Sequence, residues 1–250
     1  MGCYNMLEDY INKLMPIVTK MYEKNKTGGH DMDHFNRTMR IALYLQKKEG
    51  GDSLIIGIAS FLHDIHRLMQ SKQGKYITPK ESLDVVIDII KQSKIELTNE
   101  QINKILFCIE HHEDYNWNGF NVDDINTLIL QDADNLDAIG AIGIGRSFGY
   151  AALNNQAFFD DKIPLEKFDG YKEKLKDVSN IHFLNNKLIK LGDNMNTKTA
   201  KLIAKDRVEF IKNFIDEYIK EWNAIYKWWL SQHQSNQRRI KITLDDEVYA

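Results

Sequence analysis

"IIGIASFLHDIHRLM", residues 55–69, reads as a buried helix that ends in charge. Its first two turns carry apolar residues on every side, so the segment belongs inside a protein rather than on its surface. His63, Asp64 and His66 then arrive within four positions. A carboxylate and imidazoles buried without partners would be strongly unfavourable. The stretch therefore predicts a helical interior that keeps polar groups for a purpose.

The rest of the chain extends that reading. Apolar residues recur at spacings of three and four, alternating runs are scarce, and only three prolines (Pro16, Pro79, Pro164) occur in 250 residues. The expected fold class is all-α. A first helix is predicted over about 6–24, bent at Pro16. A second begins at Asp31 or Asp33, and a third runs over 54–68 behind Asp52 or Ser53. Thr78 with Glu81, and Thr98 with Gln101, mark two further starts as capping boxes. "DDINTLILQDADNLDAIGAIGIGRSFGYAAL" reads as helix, residues 155–180 as mixed with loops, and 197–230 as one long amphipathic helix. "RIKITL" in the polar tail is the one candidate short strand. Trp222, Trp228 and Trp229 read as core, with a dimer face as the alternative, which leaves a homodimer open.

Charge and cysteines narrow the function classes. A net charge of −3 supplies no basic field of the kind nucleic-acid binders carry. Cys3 and Cys108 stand too far apart for a disulfide framework and form no CxxC pair. No run of 18 apolar residues marks a membrane span. "MGCYNM" lacks the features of a secretory leader and the hydroxyl residue of a myristoylation site. The expectation is a cytoplasmic protein with no nucleic-acid or membrane partner.

Two other helices repeat the anomaly of 55–69. His34 shares a face with Thr38, Ile41 and Leu45. Asp132, Asp134 and Asp137 interrupt an otherwise apolar helix. Imidazoles and carboxylates gathered in a core are most economically explained by a metal ion. Two histidines with two carboxylates suit Mn, Fe, Zn or Co better than Ca. Such a site leaves positions for water, whose pKa the cation lowers.

The ordered set of His34, His63-Asp64 and a later Asp resembles the HD superfamily of metal-dependent phosphohydrolases. "HFNRTM" is similar to that family's first histidine with its H-x-x-R pattern, "LHDI" to its His-Asp pair, and "ADNL" to its final A-D-x-L. The resemblance implies an HD-domain helical bundle with additional C-terminal helices. It implies the ligands His34, His63, Asp64 and Asp134, with Asp134 preferred to Asp132. Longer blocks, from "GGHDMDHFNR" to "HFLNNKLIKLGDNMNTKTAKLIAKDRVEFI", resemble small bacterial HD hydrolases that include manganese-dependent nucleotide pyrophosphohydrolases. Mn²⁺ is thus the expected cofactor, with Fe, Co, Ni or Zn compatible with the same donors and Mg²⁺ arriving with substrate. The resemblance divides the chain into an N-terminal helix (1–27), a metal-binding core (28–150), a region closing the pocket (151–232) and a tail (233–250).

Two departures qualify the catalytic expectation. Members of the family often carry acidic residues after His-Asp that orient water, whereas this chain has Ile65, His66 and Arg67. Asp132 or Asp64 would then serve as the base, and Arg67 would bind phosphate. In "IEHHEDY", helix phase points His111 or His112 inward, either as a proton shuttle and second-metal ligand or as a helix C-cap. Arg37, one turn from His34, and Arg146 are candidate phosphate ligands because a guanidinium pairs two oxygens at once. By resemblance His182, Lys187 and Arg207 join them, and His30 lies at the entrance. The expected substrate is a small phosphate compound, with conversion of a nucleoside triphosphate to monophosphate and pyrophosphate favoured. The alternatives are a dinuclear phosphodiesterase or phosphomonoesterase, and a nucleotide-binding sensor with impaired turnover.

Overall fold

The structure is a computed structural model that describes residues 2–22, 31–165 and 179–223. Among these residues it is all-α, with no strand. The order is α1 (Gly2–Tyr22), α2 (Met32–Glu49), α3 (Ser53–Leu62), α4 (Ile65–Gln73), α5 (Leu83–Ser93), α6 (Asn99–Glu110), α7 (Ile125–Asp137), α8 (Gly140–Leu153), α9 (Asn180–Phe183), α10 (Ile189–Gly192) and α11 (Lys198–Trp222). A π-turn, Leu184–Leu188, joins α9 to α10. The chain falls into two compact units, 1–212 and 213–250. Of the second, the described part is the end of α11 and Asn223. The candidate strand, Trp228, Trp229 and His30 lie outside the described residues.

The centre is α3, every residue of which from Leu54 to Leu62 is buried. Helices α1, α2, α6 and α7 pack around it, which is the only stable setting for a helix apolar on all sides. The long α1 offers Leu7, Tyr10, Ile11, Leu14, Val18 and Tyr22, spaced by three and four, to this core. Leu7 closes on Gly57, where a Cβ would stand 2.6 Å from its Cδ2, so only glycine lets the helices approach this far.

The expected caps form. The Asp31 carboxylate accepts the His34 N–H at 2.9 Å, Asp52 accepts from Leu54 and Ile55, and Thr98 and Gln101 close a capping box. Thr78 and Glu81 also pair, but they open a short 3₁₀ turn, Lys80–Ser82, before α5. Two continuous helices expected from the pattern are broken. The predicted helix over 54–68 divides at His63-Asp64, and the one following Asp124 divides between α7 and α8. The second break has a plain cause: Gly140 takes a φ of +79°, and a Cβ on Gly143 would stand 2.1 Å from the Ala138 carbonyl oxygen. Hydrophobic periodicity alone does not register such corners, because the apolar positions on either side stay in phase.

Candidate metal centre

The break at His63-Asp64 builds the site. On a continuous helix, adjacent residues diverge by about 100°. Asp64 instead sits at φ −96°, ψ 17°, and its carbonyl accepts the Arg67 N–H at 2.9 Å to start α4. The corner turns both side chains toward His34 at the start of α2 and Asp134 on α7. His34 Nε2 stands 3.2 Å from Asp64 Oδ2 and 3.5 Å from Asp134 Oδ1, and His63 Nε2 stands 3.4 and 3.7 Å from the same two oxygens. The two imidazoles are fully buried.

Tautomers follow from the partners. His63 Nδ1 lies 2.8 Å from the Ser60 carbonyl, His66 Nδ1 3.2 Å from that of His63, and His112 Nδ1 2.6 Å from that of Ile109. A carbonyl only accepts, so in each case Nδ1 carries a hydrogen, and Nε2 is the atom that offers a lone pair whenever the ring is neutral. All three Nε2 atoms are buried and make no hydrogen bond. His34 is held by a carboxylate instead, its Nδ1 2.8 Å from Asp137 Oδ2. Such outer partners are how proteins orient metal-binding imidazoles.

Two sets of donors lie within one ion's reach: His34, His63 and Asp64, and beside them Asp64, His66 and His112. The donor atoms fit a divalent cation. Buried lone pairs with no proton to accept and carboxylates crowded against them are the pattern a cation resolves. Electrostatics show the crowding. Burial pulls the His63 ring down, but Asp64 and Asp134 outweigh it and lift it to about 9. His112 is pushed to about 4 by burial, reinforced by the charge on His63. Burial works against ionisation of Asp134, yet His63 and His34 hold it below the ordinary carboxylate range.

Asp137, three residues beyond Asp134, anchors the other side. Besides His34 it accepts Arg37 Nε at 2.7 Å, Arg37 Nη2 at 3.1 Å and Arg146 Nη1 at 2.7 Å. Burial opposes its ionisation, but His34 and Arg37 hold it at about 2. Arg37 and Arg146 therefore reach the centre through a carboxylate. Arg207 donates to the Leu136 carbonyl and lies over Gly140. Arg67 pairs with Glu113, which is 3.6 Å from His66 Nε2, and Arg67 Nε is 3.9 Å from Asp64 Oδ1 with no hydrogen bond of its own. Lys187, in the π-turn, is half-buried, and its ammonium lies 5.5 Å from the centre of the Phe183 ring.

Three expected site residues are placed elsewhere. Asp132 points to the start of α11, where its oxygens accept from Asn196 N, Thr197 N and Thr197 Oγ1, each at 2.7 Å. This corrects its reading as a proton carrier: its lone pairs are committed to capping. Asp132→Ala should destabilise the fold by about 2–4 kcal/mol, since several buried donors lose their acceptor. A urea midpoint that does not move would contradict that structural role. His111 donates to Asp114 Oδ2 at 2.7 Å and packs at a tilt against the Phe107 ring, so of the pair only His112 faces the centre. His182 has both ring nitrogens engaged, by Ser179 Oγ at 2.7 Å and the Ile163 carbonyl at 2.9 Å, which corrects its reading as a substrate ligand. Conversely, His66, Glu113 and Asp137 were not singled out as site residues. Asp137 follows Asp134 by three on α7, and on a helix that spacing shares a face, whereas His66 is brought in by the corner at His63-Asp64.

The HD domain family pattern matches residues 32–139. The chain is 30% identical to an HD-superfamily hydrolase of Bacillus thuringiensis of known structure, covering 87% of this chain and 99% of that one, with a TM-score of 0.66. The chain belongs to the HD superfamily of metal-dependent phosphohydrolases. The uncharacterised protein YpgQ of Bacillus subtilis is 28% identical to this chain over 209 residues, 79% of this chain and 86% of that one. A crystal structure of YpgQ in complex with ADP aligns with 86% of this chain and 99% of that one, at 25% identity and a TM-score of 0.62. No helix among the described residues of this HD hydrolase is long and apolar enough to cross a membrane.

Proposed function

We propose that this HD hydrolase converts a nucleoside triphosphate to monophosphate and pyrophosphate, with Mn²⁺ held by His34, His63, Asp64 and Asp134. One observation carries the metal assignment: buried His34 and His63 set their Nε2 atoms against the Asp64 and Asp134 carboxylates, and the Nε2 atom of His63, like those of His66 and His112 beside it, is buried without a hydrogen bond while Nδ1 is fixed by a carbonyl. The nucleotide assignment is supported by the ADP in the structure of YpgQ. When bound, a divalent cation supplies Lewis acidity toward phosphoryl oxygens and lowers the pKa of water.

The chain's own residues do the rest. Ser60 and Asp137 keep His63 and His34 in the tautomer and orientation that ligation needs. Arg37 and Arg146 keep Asp137 ionised and so keep its acceptors turned to His34. Arg67 Nε, buried and unbonded, is a donor for a phosphoryl oxygen, and Lys187 adds a second cation to that side. Glu113 takes the place of the acidic residue absent after His-Asp: it lies against Arg67 and His66, and although burial opposes its ionisation, the cationic groups around it, the paired Arg67 among them, hold it at about 2. An ionised carboxylate there can orient water by accepting its hydrogens.

The second set, Asp64, His66 and His112, favours one alternative: a dinuclear site, as in a phosphodiesterase or phosphomonoesterase. Retention of every donor argues against a sensor without turnover. The test is phosphorus NMR of a nucleoside triphosphate incubated with metal-stripped protein plus Mn²⁺, beside the double variant His63→Ala, Asp64→Ala. Pyrophosphate with monophosphate, absent in the variant, is the expected result. Orthophosphate release, or cleavage of a monoester or cyclic diester with two Mn²⁺ bound per chain, would transfer the assignment to the dinuclear reading.

A further inference from the structure

The segment between α6 and α7 carries more than His112 and Glu113. Gln131 on α7 ties it down by donating to the carbonyls of His111 at 3.0 Å and Asp114 at 3.1 Å. Asn116 closes it on Val122, accepting the Val122 N–H at 2.8 Å and donating to its carbonyl at 3.2 Å. Between these ties stand Tyr115 and Trp117, whose rings stack 4.2 Å apart and 8° from parallel. The Tyr115 hydroxyl donates to Asn135 Oδ1 at 3.2 Å, and Asn135 follows Asp134 directly in α7. The aromatic pair is thus tied to α7 at the residue that follows Asp134. Burial, with the charges of Asp134 and Glu113, pushes the Tyr115 phenol well above its ordinary value, consistent with that place.

Two donors here have no acceptor. Asn135 is 3% exposed, and its Nδ2 makes no hydrogen bond. Trp117 Nε1 is likewise buried and unbonded, and an indole N–H can only donate. Buried donors in folded proteins nearly always find a partner, and buried Trp N–H groups usually do. Neither core packing nor the local turns account for both. A stacked aromatic pair flanked by two unsatisfied donors, beside a centre that cleaves phosphoryl bonds, matches one ligand chemistry: a planar ring with acceptor atoms on its edge.

We propose that Tyr115, Trp117 and Asn135 form the base subsite, where the nucleobase lies against the aromatic pair and its edge acceptors take the N–H groups of Trp117 and Asn135. This rests on the nucleotide reading above and adds the part of the molecule that would recognise it. Stacking on aromatic side chains tolerates every base, so the subsite distinguishes nucleotides from inorganic polyphosphate more than one base from another.

The test is calorimetric binding to the full chain with Mn²⁺, comparing a non-hydrolysable nucleoside triphosphate analogue with inorganic tripolyphosphate. Wild type should prefer the nucleotide by roughly 10- to 100-fold, the range expected for one base stacked on an aromatic group. Trp117→Leu should erase that preference, and Trp117→Phe, which keeps a ring and loses the N–H, should recover part of it. Equal affinity of wild type for both ligands, or an undiminished preference in Trp117→Leu, would overturn the proposal. Because binding is read without turnover, this outcome is separate from that of the phosphorus NMR experiment.

Discussion

Asp64→Asn should abolish turnover, by about 10³-fold or more, the scale of removing a principal electrostatic group from an active centre. No other residue belongs to both donor sets, since its carboxylate meets His34 and His63 on one side and joins His66 and His112 on the other. The amide keeps the shape and removes the charge, so packing around the α3–α4 corner is retained. A second readout is independent of activity. Any ligand bound by the folded state alone stabilises it, by about 2.7 kcal/mol when present at 100 times its Kd. Wild type should therefore gain thermal stability as Mn²⁺ is added, and Asp64→Asn should gain almost none. A variant whose melting temperature still rises with Mn²⁺ as in wild type would show that Asp64 is not a ligand.

Asp137→Asn should weaken metal binding by about 10- to 100-fold, the usual consequence of losing the carboxylate behind a ligating histidine. It should also cost about 2–4 kcal/mol of stability. Arg37 and Arg146 are 29% and 18% exposed, and both would lose their counter-ion. Removing one partner of a buried ion pair costs about 3–5 kcal/mol, and their partial exposure reduces that figure. The two effects are separable, because the first is read by titrating metal and the second by a urea midpoint in chelator. An unchanged midpoint would mean that the arginines are solvated rather than held by Asp137. An unchanged affinity would mean that Thr38, whose Oγ1 lies 3.3 Å from His34 Nδ1, suffices to orient the ring.

The helices were legible because burial imposes a period on the chain: the all-apolar "IIGIASFL" could only be a central helix, and it is. The caps at Asp52 and Thr98 were legible because helix N-termini demand side-chain acceptors within a few residues. His34, His63 and Asp64 were marked by the implausibility of burying them for any structural reason and Asp134 by the resemblance of "ADNL" to the family's motif, and the fold brings the four side chains together. Asp132 and Asp134 both interrupt the same apolar helix, and only the resemblance of "ADNL" to the family's motif favoured Asp134. Residues two positions apart on a helix diverge by about 200° of rotation, and the packed structure turns Asp132 to Thr197 and Asp134 to the imidazoles.

What the sequence determined by itself is the all-α class, the central apolar helix and the residue types of a cation site, because each follows from local period and from the cost of buried charge. What the tertiary structure decided is the corner at His63-Asp64, the choice of His112 over His111, the pairing of Glu113 with Arg67 and the anchoring of His34 by Asp137. Those depend on contacts between residues 30 to 103 positions apart, as in the 2.8 Å approach of His34 to Asp137 across a separation of 103. No local pattern encodes such distances, because they arise only when several helices pack against one another at once.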